Sequence, residues 1–84
     1  MFGLGNIALI TSSQCRAARA FLDWSQDELA RKASVTVRTI RSFERGSAPY
    51  VSTLEAIHDA LVRAGIAFTN DDTGVGVTMR HPEP

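Results

Sequence analysis

Cysteine is nearly absent: Cys15 is the single one in 84 residues. That excludes an internal disulfide framework and a cysteine-based zinc site, and a lone thiol fits a reducing compartment. The two histidines, His58 and His81, stand far apart and without other ligand types nearby. No metal and no cofactor is therefore expected. There is no carboxylate pair, no Ser/His/Asp set and no glycine-rich phosphate loop, so nothing argues for catalysis. No apolar run approaches the roughly 20 residues of a membrane span. The opening, Met1 to Ile10, holds no Lys or Arg and so lacks the charged start of a secretory leader. The expectation is a soluble, cytoplasmic protein with no membrane partner. Neither charge sign is in excess, with nine basic and nine acidic residues, which argues against a generally basic coat. A chain of this length makes one small domain with a modest core. It leaves no room for a separate ligand-sensing domain.

The neutral total hides an uneven distribution. Residues 1–30 carry net −1 and residues 47–84 net −3. Between them, Arg31, Lys32, Arg38, Arg41 and Arg45 face Glu44 alone, for a net of +4. A charge run is ordinarily a solvated helix face, so its meaning depends on where these residues fall on the helices.

Local signals divide the chain. Thr11 with Gln14 three residues later is a capping-box pattern opening a helix over Gln14–Asp23, with Cys15, Ala18 and Leu22 on one face. Ser25 with Glu28 opens a second, to about Ala33, with Leu29 and Ala30 inward and Trp24 before it as a core residue. Thr36 caps a third, Val37–Arg45, with Ile40 and Phe43 inward. Gly46 ends it and Pro49 keeps it from resuming. Ser52 with Glu55 predicts a fourth start, for a helix through Leu54, Ile57 and Leu61 that stops at Gly65. Beyond Gly65 the period changes. Residues 66–69 and 75–79 read as two short strands around a turn-rich Asn70–Gly74. The tail 81–84 should fray, and residues 1–10 read as an arm. The fold class is mainly α: a compact four- to five-helix domain at 11–65, with a short C-terminal β-hairpin at 66–80.

Two short helices separated by only Ala33-Ser34-Val35 have helix-turn-helix spacing. The second buries Ile40 and Phe43 and leaves Val37, Arg38, Arg41 and Ser42 free, a face that suits a major groove. From this point the residues resemble a family. Ser25-Gln26-Asp27-Glu28-Leu29-Ala30, then Val35-Thr36-Val37-Arg38-Thr39-Ile40, then Phe43-Glu44-Arg45-Gly46, are similar to the XRE/Cro-type helix-turn-helix signature of phage and bacterial repressors. Gln14-Cys15-Arg16-Ala17-Ala18-Arg19 resembles that family's first helix. The likeness runs from about Thr11 to Gly65. One departure lies in the turn, where Ser34 stands in place of the family's frequent glycine. Ser at a positive φ costs roughly 1 kcal/mol.

The resemblance implies a repressor-like bundle that binds a double-stranded operator as a homodimer. It puts Val37, Arg38, Arg41 and Ser42 at base edges or the adjacent backbone. It puts Gln26, Thr36, Thr39, Arg45 and Ser47 on phosphates. Arg19 and Glu44 match a partly buried ion pair joining the first helix to the third. Cys15 reads as a small buried hydrophobe. The function implied is a sequence-specific transcriptional regulator, a dimeric repressor on an inverted repeat, controlled by its concentration or by a regulatory protein partner. The alternative on the same scaffold is a protein-interaction module, an antitoxin or anti-activator. For the dimer, Ile66, Phe68, Val75, Val77 and Met79 are more apolar than a solvent-facing hairpin requires, with residues 7–10 as a second contributor. The competing arrangement folds the hairpin back on its own helices.

Overall fold

A computed structural model of the chain describes residues 10–80. All but residue 10 of the arm expected at residues 1–10, and the tail at 81–84, lie outside the described residues. Four helices, α1 (Ser12–Leu22), α2 (Gln26–Ala33), α3 (Val37–Glu44) and α4 (Val51–Arg63), precede an antiparallel hairpin of β1 (Ile66–Asp71) and β2 (Gly74–Met79). The architecture is a mainly helical helix-turn-helix fold with a C-terminal hairpin. Of the four to five helices expected, four lie among the described residues.

The first three starts follow their caps. The Thr11 hydroxyl accepts from the Gln14 amide while the Gln14 side chain accepts from the Thr11 amide at 2.9 Å, closing a full capping box. Ser25 and Thr36 accept from the amides three residues on. The second box is only half made, because the Glu28 carboxylate bonds Arg31 at 2.7 Å instead of reaching back. The expected box at Ser52 and Glu55 does not form. Helix α4 begins at Val51, behind Tyr50 with φ −59° and ψ 152°, and has no side-chain cap. Pro49 cannot take part in a continuing α3 and holds Ala48 away from helical backbone. The chain turns helical as soon as that restriction ends, which leaves Ser52 inside the first turn.

Both helix ends flanking α2 use left-handed residues. Asp23 closes α1 and Ser34 closes α2, each at φ 59°. The Ser34 amide turns back to Ala30 and Arg31, and the Val35 amide donates to the Ala30 carbonyl at 3.0 Å. The tight turn between α2 and α3 thus satisfies the carbonyls that α2 leaves open. Gly46, at φ 110°, ends the third helix in a conformation that a Cβ would strain.

The core gathers all four helices and the first strand. Ile10, Cys15, Ala18, Leu29, Ile40, Ile57, Leu61 and Ile66 are buried in one cluster, and Leu22, Trp24, Val35, Val37, Leu54, Phe68 and Val77 pack against it. Ile10, assigned from sequence to the arm, belongs to this core. The hairpin is longer and its turn tighter than expected: residues 71 and 74 already pair. Asp71 accepts from the Thr73 amide at 2.9 Å and hydroxyl at 2.6 Å across that turn.

The hairpin is tied to α1 by a single buried side chain. The Gln14 amide nitrogen donates to the Thr69 and Gly76 carbonyls, both at 2.9 Å. With its oxygen on the Thr11 amide, Gln14 caps a helix at one end of its amide and joins two strands at the other. Nothing local in the sequence marks that second role.

Candidate nucleic-acid interface

Helix α3 is anchored on one side and free on the other. Ile40, Phe43 and Glu44 are buried, while Arg38, Arg41, Ser42 and Arg45 are exposed. Among the described residues none of the three arginines enters an ion pair. Of the basic central segment, Arg31 instead pairs with Glu28 at 2.7 Å, and Lys32 lies 5.4 Å from the centre of the Trp24 ring. Among the described residues Arg38, Arg41 and Arg45 thus keep their positive charge unneutralised on α3 and its C-terminal end.

Glu44 holds the other side. Its side chain is 4% exposed. It accepts from Arg19 Nε and Nη2 at 2.7 Å each, from Gln26 Nε2 at 3.1 Å and from Cys15 Sγ at 3.2 Å. Arg16 adds a bond at 2.6 Å to the Glu44 carbonyl, one of the acceptors that α3 leaves open at its end. Arg19 also donates to the Trp24 carbonyl at 3.0 Å. Burial pushes the Glu44 carboxyl up, but the bonds from Arg19, Gln26 and Cys15 outweigh it and hold it below its ordinary value of 4.5. Burial, and then the bond to Glu44, push the Cys15 thiol far above its ordinary value. Cys15 is thus a buried donor as well as a small apolar residue. Arg16 and Cys15 were legible only as parts of the first helix, since the group they serve lies 28 and 29 residues away.

The residues matched to phosphates surround this helix. Gln26 opens α2 and reaches Glu44, so α2 and α3 share one polar junction. Thr36 and Thr39 bond to each other through their hydroxyls at 2.9 Å at the start of α3. Arg45 and Ser47 are exposed at its end, where the Ser47 amide donates to the Ser42 carbonyl at 3.0 Å. An open groove of about 440 Å³ runs between α3 and the start of α4, with Arg38, Ser42, Ser47, Tyr50 and Thr53 on its walls. Tyr50 is 85% exposed there. Sequence reading passed over it; an aromatic residue where a helix start favours a short polar cap was the available signal.

Two sets of expected residues sit differently. Val37, read as free, is half-buried and packs on the core one turn before Ile40. The α-helical period puts residues 37, 40 and 44 on one side, so Val37 follows the buried stripe. In the hairpin, Ile66 is buried within the chain's own core, and Phe68 and Val77 pack against it. Those three were expected to face a partner. Their side chains pack on the chain's own helices, because α1 and α4 leave an apolar surface that one face of a two-stranded sheet can cover. Of that set only Val75 and Met79 remain exposed.

Among the described residues no helix is long and apolar enough to cross a membrane. A comparison with curated proteins gave no match. A family model described as helix-turn-helix matches residues 16–61, from within α1 through most of α4. With a cap-turn-cap junction between α2 and α3, a buried Arg19–Glu44 clasp behind α3 and more than half of its length within that match, the chain belongs to the XRE-type helix-turn-helix family of DNA-binding domains.

Proposed function

We propose that the protein is a sequence-specific transcriptional regulator of the cytoplasm, a dimeric repressor that occupies an inverted-repeat operator with α3 in the major groove. One observation carries the reading: Arg38, Arg41 and Arg45 stand exposed and, among the described residues, without ion pairs on a helix whose opposite side is locked by Glu44. A solubility patch needs no such anchoring, whereas groove recognition needs charge held at a fixed register. Arg38 lies in the first turn of α3, and its planar fork matches the O6 and N7 acceptors of guanine. Arg41 and Ser42, one turn on, reach a base or the adjacent backbone. The exposed half of Val37 meets a thymine methyl. Gln26, Thr36, Thr39, Arg45 and Ser47 hold phosphates around them.

The decisive experiment selects bound fragments from a random DNA pool and titrates the selected site beside random DNA at low salt. Recovery of a symmetric site, bound more tightly than random DNA, supports the reading. A protein that retards neither DNA at low salt is no operator-binding repressor.

A further inference from the structure

We propose that two copies of the chain join along the outer edge of β2, antiparallel about Val77, into one four-stranded sheet in the order β1-β2-β2-β1. This rests on the dimeric reading above and gives it an interface and a register.

The ladder fixes which backbone groups are free. In an antiparallel pair, residues alternate between bonded pairs facing inward and non-bonded pairs whose amides and carbonyls face outward. Gln14 meets the Thr69 and Gly76 carbonyls together, so those two point inward, between the strands. The Arg80 amide donates to the Gly65 carbonyl at 2.9 Å, which places that pair in the same phase. Val75, Val77 and Met79 therefore turn their backbone groups outward. Among the described residues nothing bonds them there.

Among the described residues that edge carries none of the usual protection. Sheet edges are ordinarily blunted by charge, proline, a bulge or a covering segment. The run Gly74-Val75-Gly76-Val77-Thr78-Met79 contains no charge and no proline, and it pairs with β1 without interruption. Its apolar residues are arranged for a copy of itself. An antiparallel pairing centred on Val77 sets Val77 opposite the partner's Val77 and Val75 opposite the partner's Met79. Val75 and Met79 are 48% and 39% exposed, and each would cover the other twice by symmetry. Beside them Phe21 of α1, 50% exposed, lines a groove with Ala17, Val75 and Val77. The partner's Met79 enters this groove next to Val75, and an unbranched thioether adapts to such a space.

Charge agrees with the same register. Arg80 falls opposite the partner's Gly74, which has no side chain to block it, and extends over the partner's acidic turn at Asp71 and Asp72 of the partner subunit. A shift of register by two residues separates Val75 from the partner's Met79 and moves Arg80 off that turn.

The test uses two single-cysteine additions, Val75→Cys and Met79→Cys, in the full chain under mild oxidation. Cys15 is fully buried and serves as the unreacting background. In the proposed register, like cysteines of a dimer lie four residues apart along the strands, about 13 Å, too far for a disulfide. The expected result is crosslinked dimer from a mixture of the two proteins and none from either alone. Val75→Lys, with unchanged far-ultraviolet circular dichroism, should sediment as a monomer where the parent sediments as a dimer. Crosslinking of either protein by itself, or a sedimenting dimer whose mixture does not crosslink, overturns the edge and register while leaving a dimer elsewhere. A parent chain that sediments as a monomer with and without its DNA site overturns the dimeric reading together with this interface.

Discussion

At the scale of the residue, Glu44 decides most. It sits near the C-terminal end of α3, where the helix dipole disfavours an anion, and five side-chain bonds from Cys15, Arg16, Arg19 and Gln26 converge on its carboxylate and carbonyl. Removing Arg19 strands a buried carboxylate, so Arg19→Ala should lose about 3 kcal/mol or more, read as a lower urea midpoint. In a domain this small such a loss is a large share of the total. The acid limb follows from the same group. Its folded pKa lies below the unfolded one, so its contribution is complete above about 4.5 and fades as pH falls through the depressed value. Glu44→Gln should be less stable at neutral pH and should show a shallower decline as the pH falls below about 4.5 in parallel unfolding curves. The arginines of the free face separate into two behaviours. Arg38→Ala should relax preference at one base pair in each half-site, by about 1–3 kcal/mol of discrimination. Arg45→Ala should weaken selected and random DNA alike and flatten the salt dependence. Equal losses on both DNAs for Arg38→Ala would make it a phosphate contact.

At the scale of the element, what the sequence revealed was what is local. Three helix starts were legible because a hydroxyl three residues before an amide suffices to form each cap. The turn between α2 and α3 was legible from its short spacing, and the positive φ of Ser34 only through the family's frequent glycine at that place. Ser34→Gly should therefore raise stability, by up to about 1 kcal/mol after the extra chain entropy of glycine, with no change in DNA affinity. The start of α4 was misread because Ser52 and Glu55 fit a pattern while the restriction that decides, at Pro49, acts three residues earlier. The half-burial of Val37 and the buried side of the hairpin were not legible because partial burial depends on distant partners. Gln14 is the extreme case, with strand contacts 55 and 62 residues away. Gln14→Ala removes a capping bond and two bonds to part-buried strand carbonyls, so it should cost about 1–3 kcal/mol. Faster hydrogen exchange in β2 than in α2 would locate the damage at the hairpin.

At the scale of the whole molecule, a twofold dimer should prefer an inverted repeat with half-site centres about 10 base pairs apart. Inserting five base pairs between selected half-sites rotates them to opposite sides of the duplex and should abolish the tighter binding; unchanged affinity would mean that each chain binds alone. The tie between Gln14 and the hairpin also sets the order of events during synthesis. The helix that supplies Gln14 leaves the ribosome first, and the strands it grips leave after every helix of the domain. Until they arrive, α1 and α4 display the apolar surface that Ile66, Phe68 and Val77 later cover. Contacts of such sequence separation close late in folding. The segment that finishes the core is also the one whose outer edge is offered to a second copy. A nascent chain thus acquires its stable fold and its pairing edge in one step, and an interrupted translation product ending within α4 acquires neither.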